Sequence, residues 1–161
     1  MGANNLGATG AKLLMQAVAV HPKLQSLVLA FDASIGWQGL INIGKELPNT
    51  KLKQLGLDGI LHAGLDPPSK LARKARAALI KGVQQSVTLT EFSFYGLDET
   101  TMEPIRCYLE LNEMCRPLLR SDTVTPAMWP HILECFYRKY KISHLFFVLR
   151  EQPWLMLMGP K

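Results

Sequence analysis

The side chains that could hold a metal or act as nucleophiles are few and scattered. Three cysteines (Cys107, Cys115, Cys135) and four histidines (His21, His62, His131, His144) are spread over 161 residues. His131 and Cys135 stand four apart, with Cys107 and Cys115 upstream, which is the only arrangement here that invites a zinc ion. Structural zinc sites gather their ligands in close pairs such as CxxC, and no such pair occurs. Three thiols cannot all pair within one chain, so they read as reduced, largely buried cysteines of an intracellular protein, cytoplasmic before nuclear. No histidine has an acid and a nucleophile at a suggestive local spacing, and GxSxG and HExxH are absent. Gly2 and Gly7 have the separation of a phosphate loop, but Ala8 stands where lysine is needed and no strand precedes them. The expectation is a protein without catalysis, cofactor or metal.

The basic residues are the next candidates. Eighteen Lys and Arg against thirteen Asp and Glu give a formal charge of +5 and a pI near 9.2. They concentrate at Lys51 and Lys53, along Lys70, Arg73, Lys74, Arg76 and Lys81, and at Arg138-Lys139-Tyr140-Lys141. The middle run falls on a predicted helix whose other face carries Leu71, Ala75, Leu79 and Val83. Its plainer reading is a solvated outer face. The sharper one is contact with a nucleic-acid backbone through Lys70, Arg73, Lys74 and Arg76. Against that, the run lacks an interleaved aromatic stripe and a recognition-helix motif.

Positioning these residues falls to a repeat. Leu24-x-x-Leu27-x-Leu29 returns as Leu52-x-x-Leu55-x-Leu57 after 28 residues and as Leu89-x-x-Phe92-x-Phe94 after 37 more, with an insertion around Gly64-Leu65-Asp66-Pro67-Pro68. The apolar alternation at each motif's end reads as a strand. Before each strand the period lengthens to that of a helix: Gly10-Ala11-x-x-Leu14-x-x-Ala17-Val18, Gly39-Leu40-x-x-Ile43-x-x-x-Leu47, and Ala75-x-x-x-Leu79-x-x-x-Val83. Leu6-Gly7-x-x-Gly10-Ala11 and Ile35-Gly36-x-x-Gly39-Leu40 lie 29 apart, with glycine easing the tight turn into each helix.

This LxxLxL pattern followed by an LGxxGAxxL-type helix resembles the leucine-rich repeats of the ribonuclease-inhibitor type, over residues 4–97. The resemblance implies an α/β solenoid, with a short parallel sheet inside and helices on the convex side. It also implies a corner asparagine after each strand. Asn4 fits that place, but Asp32, Ile60 and Leu97 replace it later, so those corners should be solved differently. The first unit has a helix and no strand of its own, so the apolar side of Leu6, Leu14 and Val18 would need cover. That edge is a candidate for self-association, or for burial in a larger assembly.

Residues 98–161 read as an all-helical C-terminal cap. One helix starts at Asp98-Glu99-Thr100-Thr101 and runs to about Cys115. A second opens at Thr125-Pro126 and carries Met128, Trp129, Ile132, Leu133, Phe136 and Tyr137. A third begins near Ser143 with Leu145, Phe146, Val148 and Leu149. The same aromatic helices could instead form a docking surface. With 48% hydrophobic and 19% charged residues the chain is neither disordered nor, lacking a long apolar run, membrane-spanning.

By alternation, the residues between the strand leucines face away from the core. They are Ser26, Val28 and Ala30; Gln54, Gly56 and Asp58; Glu91, Ser93 and Tyr95. Together they make a mixed ladder, with Tyr95 the best single anchor. The functional expectation is a scaffold that binds a partner protein through this face. The alternatives are nucleic-acid association through the basic helix and a subunit buried through its first unit.

Overall fold

The structure is a computed structural model that describes residues 5–61, residues 69–114 and positions 130, 134, 146 and 150. The chain forms two compact units, Met1–Glu113 and Met114–Lys161. In the second, Pro130, Glu134, Phe146 and Arg150 are helical. Asn4, the 64–68 insertion, Cys115, His131, Cys135 and the remaining positions of the two expected tail helices lie outside the described residues.

The first unit is α/β. Helix α1 spans Gly7–Val20, strand β1 Ser26–Val28, helix α2 Gly36–Glu46, strand β2 Gln54–Gly56, helix α3 Lys70–Gln85, strand β3 Glu91–Ser93 and helix α4 Glu99–Met114. The strands form one parallel sheet in the order β1-β2-β3. Their register follows the sequence motif: Ser26, Gln54 and Glu91 stand side by side, then Leu27, Leu55 and Phe92, then Val28, Gly56 and Ser93. Amide bonds carry the ladder past the strands, from Leu29 to the Gly56 carbonyl, from Leu57 to Ser93 and from Phe31 to Asp58, each 2.8 Å.

The motif leucines of all three strands contribute to the core. Leu52, Leu55 and Leu57 of the central unit are at most 2% exposed. Leu24 and Leu27 are half-buried, while Leu29 of the same motif and Leu89 of the third are at most 1% exposed. Each fully buried leucine contributes about 1.5–3 kcal/mol of hydrophobic stabilisation.

The helices pack through small residues. Helix α2 touches both α1 and α3. At the α2–α3 crossing Gly44 meets Gly82: a Cβ at Gly44 would lie 2.5 Å from the Ala78 carbonyl oxygen, and one at Gly82 would run into the Gly44 carbonyl. Any side chain there would force the two backbones apart.

Two helical stripes differ from the sequence reading. In α1, Ala11, Met15 and Val18 are buried while Ala17 is exposed. Val18 therefore packs inward and needs no cover, Leu6 and Leu14 are half-buried, and the outward apolar residues are Leu13 and Val20. In α3, Ala72 is buried and Leu71 exposed. Steps of four residues drift by about 40° each, so three steps carry Leu71 well off the face of Val83.

Helix α4 belongs to the same unit. Buried Asn112 donates through Nδ2 to the carbonyls of Ser86 (2.9 Å) and Leu89 (2.7 Å), satisfying the turn that leads into β3. At its start Asp98 accepts from the Thr101 amide at 2.9 Å, the bond of an N-cap.

Candidate functional site

The nine ladder residues form three cross-strand rows. Parallel pairing sets Ser26-Gln54-Glu91 and Val28-Gly56-Ser93 in register, and the same offsets continue to Ala30-Asp58-Tyr95. Ser26, Val28, Gln54, Glu91, Ser93 and Tyr95 are exposed, while Ala30 and Asp58 are half-buried. Gly56 is buried because its neighbours lean over it: a Cβ there would meet Ser93 Oγ at 3.1 Å and both Val28 γ-carbons at 3.3 Å. An open depression of about 490 Å³ lies here, with Ser26, Val28, Gln54, Gly56, Glu91 and Ser93 in its lining.

Hydrogen bonds order the polar side chains of this face. Gln54 Nε2 donates to Glu91 Oε2 at 2.6 Å. Asp58 Oδ2 accepts from Ser93 Oγ at 2.9 Å, and its Oδ1 accepts from the Tyr95 amide at 2.8 Å. Asp58 thus holds the chain where it leaves β3, and it fixes the base from which Tyr95, 79% exposed, projects. The nine residues include two acidic side chains and no basic one. Among the described residues the ion pairs are Arg76–Asp98 and Arg106–Glu99, and neither includes Asp58 or Glu91.

The next row brings in a residue that the alternation did not single out. Phe31, Gly59 and Gly96 occupy equivalent turn positions, and all three have left-handed backbone, with φ of 57°, 70° and 107°. Glycine adopts that region freely; a bulky aromatic residue does so at a cost of about 1–2 kcal/mol. Phe31 is nevertheless 73% exposed, so burial does not repay the strain. Its amide is pinned to the Asp58 carbonyl, and its ring lies against Gly59, where a Cβ would come within 2.8 Å of Cδ1. The sequence signal was indirect: a phenylalanine where the two later units place glycine.

The corners beyond are solved three ways. Buried Asp32 accepts from the Leu6 amide at 2.9 Å and from the Ser34 hydroxyl, which itself accepts from the Gly7 amide at 2.9 Å. Ile60 at the second corner is a buried apolar residue. At the third, Leu97 gives way to Asp98 as the cap of α4.

The basic helix divides. Lys70, Arg73 and Lys74 are exposed, around a start where Ser69 Oγ accepts from the Ala72 amide at 3.0 Å. Arg76 is engaged elsewhere: it pairs with Asp98 at 2.9 Å, and its guanidinium sits 5.8 Å from the Trp37 ring centroid. The Asp98 carboxyl is held below its ordinary range, chiefly by the Thr100 hydroxyl and then by the Thr101 hydroxyl and amide and by Arg76, against the opposing effect of burial.

Among the described residues no group of three His, Cys, Asp or Glu side chains is placed to hold a metal ion. None of their helices is long and apolar enough to cross a membrane. The chain matches no family model, curated protein or solved structure.

Proposed function

We propose that the protein is a non-catalytic binding module of leucine-rich-repeat design, a short solenoid with a helical C-terminal cap that holds a partner protein on the open face of its sheet inside the cell. One observation carries this reading. Three strand–helix units present their outward residues in register on one face, where Val28 and Tyr95 are exposed at 49% and 79%, and Phe31 is exposed at 73% in the turn that follows β1. Exposed aromatic residues on a rigid scaffold are the usual anchors of protein interfaces. Parallel pairing with buried leucines beneath supplies the rigidity.

The test compares two surfaces of one purified chain. Tyr95→Ala with Val28→Arg alters the face, whereas Arg73→Glu with Lys74→Glu alters the outer side of α3. Protein partners retained from a lysate by the wild type should be lost with the first pair and kept with the second. Loss with the second pair alone would discard the sheet face.

A second reading rests on Lys70, Arg73 and Lys74, exposed in the first turns of a helix with no acidic residue in its first turn. It predicts nucleic-acid binding that weakens steeply from low to moderate salt and vanishes in the Arg73→Glu, Lys74→Glu chain. Exposed Leu13 and Val20 on α1 are the place where self-association would begin. Light scattering on the full chain measures it.

A further inference from the structure

The charge and shape of the face narrow the partner's chemistry. Among the nine ladder residues Asp58 and Glu91 are the charged side chains, both acidic, in a chain whose formal charge is +5. Both are oriented by neighbours that leave their charge in place: Gln54 donates to Glu91, and Ser93 and the Tyr95 amide donate to Asp58. Glu91 and Ser93 are successive outward residues of β3, roughly 7 Å apart along the strand. Asp58 accepts from both Ser93 Oγ and the Tyr95 amide, so its carboxylate stands between two and four residues from Glu91 along that strand. Side chains on one side of an extended chain recur every two residues and so match that range.

The surroundings of each carboxylate differ. Glu91 borders the depression over Gly56, which Val28 also lines. Asp58 lies between two exposed aromatic positions, since Phe31 is folded against the adjacent Gly59 and Tyr95 is anchored by Asp58 itself. A carboxylate beside aromatic rings suits a guanidinium, which can pair with the one while stacking on the other. The strained Phe31 backbone keeps a ring at this spot where the equivalent positions have only hydrogen.

Resting on the binding-face reading above, we propose that the face takes an extended segment of a partner protein with arginines at alternate positions. One arginine goes to Asp58 between Phe31 and Tyr95, and the other goes to Glu91 with its stem along Val28. The complementarity is local, because the chain as a whole repels cations.

The full chain is titrated by fluorescence anisotropy with three labelled eight-residue peptides. One has arginines at positions 3 and 5, one has glutamines there, and one has arginines at the adjacent positions 3 and 4. The alternating peptide should bind about tenfold or more tightly than the glutamine peptide, and more tightly than the adjacent one. Glu91→Gln, which keeps an acceptor for Gln54, and Phe31→Gly, which suits the backbone, should each lower that affinity several-fold while the melting temperature is held or raised. Equal binding of the arginine and glutamine peptides overturns the proposal, as does no binding of the alternating peptide up to about 1 mM. Indifference to Glu91→Gln also overturns it. If these peptide results fail while the Tyr95→Ala, Val28→Arg chain still loses its protein partners, the arginine assignment falls and the binding face stands. If that chain keeps its partners, the face itself falls.

Discussion

The two sides of this molecule treat side-chain volume in opposite ways. Between α2 and α3 even a methyl group has no room, since Gly44 and Gly82 meet backbone to backbone. On the open side of the sheet Val28 and Tyr95 are exposed at 49% and 79%, and Phe31 is exposed at 73% in the turn that follows β1. The helical side is therefore tuned for folding. The sheet side exposes apolar surface and a strained turn, and the proposed binding face rests on that contrast. The difference assigns the work: one layer sets the register, and the other displays what the register aligns.

The strongest break in that contrast is Leu55→Ala, which removes a leucine 2% exposed at the centre of the sheet. It should cost about 2–5 kcal/mol in chemical denaturation. A cost under about 1 kcal/mol would argue against the strand register. Gly44→Ala comes next at about 1–3 kcal/mol, because its methyl faces the Ala78 backbone and the helices must separate to admit it.

A smaller, pH-dependent effect is expected at the start of α4. Asp98 has its carboxyl held below the ordinary value of 3.8 by the Thr100 hydroxyl first. Lowering in the folded state means that the ionised form favours folding. The stabilisation is complete above the unfolded carboxyl's titration and is lost as pH falls through the lower folded value. Asp98→Ala should thus cost about 1 kcal/mol near neutrality, as loss of a cap does. The gap to the wild type should close in strong acid; a gap that persists there would mean that the charge contributes nothing. The smallest change is the most diagnostic. Phe31→Gly should raise stability by about 1 kcal/mol by relieving the left-handed backbone. A loss instead would make Phe31 a packing residue and remove the contrast at its key point.

Much of the first unit was legible because buried layers impose periods. Leucines at positions 52, 55 and 57 marked a strand, and Ala75, Leu79 and Val83 a helix, each with the faces observed. Leu71 misled because steps of four residues drift around a helix, so the stripe passes to Ala72. Other features needed partners that sequence does not declare. The Asp58–Ser93 bond joins residues 35 positions apart and exists only once β2 and β3 are in register. Asp32 likewise bonds the Leu6 amide, 26 positions away. Phe31 escaped because alternation speaks for strands and is silent at the turns where they end. Arg76 looked like a surface cation until Trp37 and Asp98 came beside it.

The hydrogen bond from the Tyr95 amide to Asp58 has a practical consequence. A proton held by a carboxylate resonates at a position that reflects that carboxylate's electron density. When a cation approaches Asp58, density is drawn away and the bond lengthens, so the Tyr95 amide resonance should move upfield in nitrogen–proton spectra of labelled protein. One backbone signal would then serve as the molecule's own reporter of whether the acidic end of the face is occupied, with no dye or tag attached.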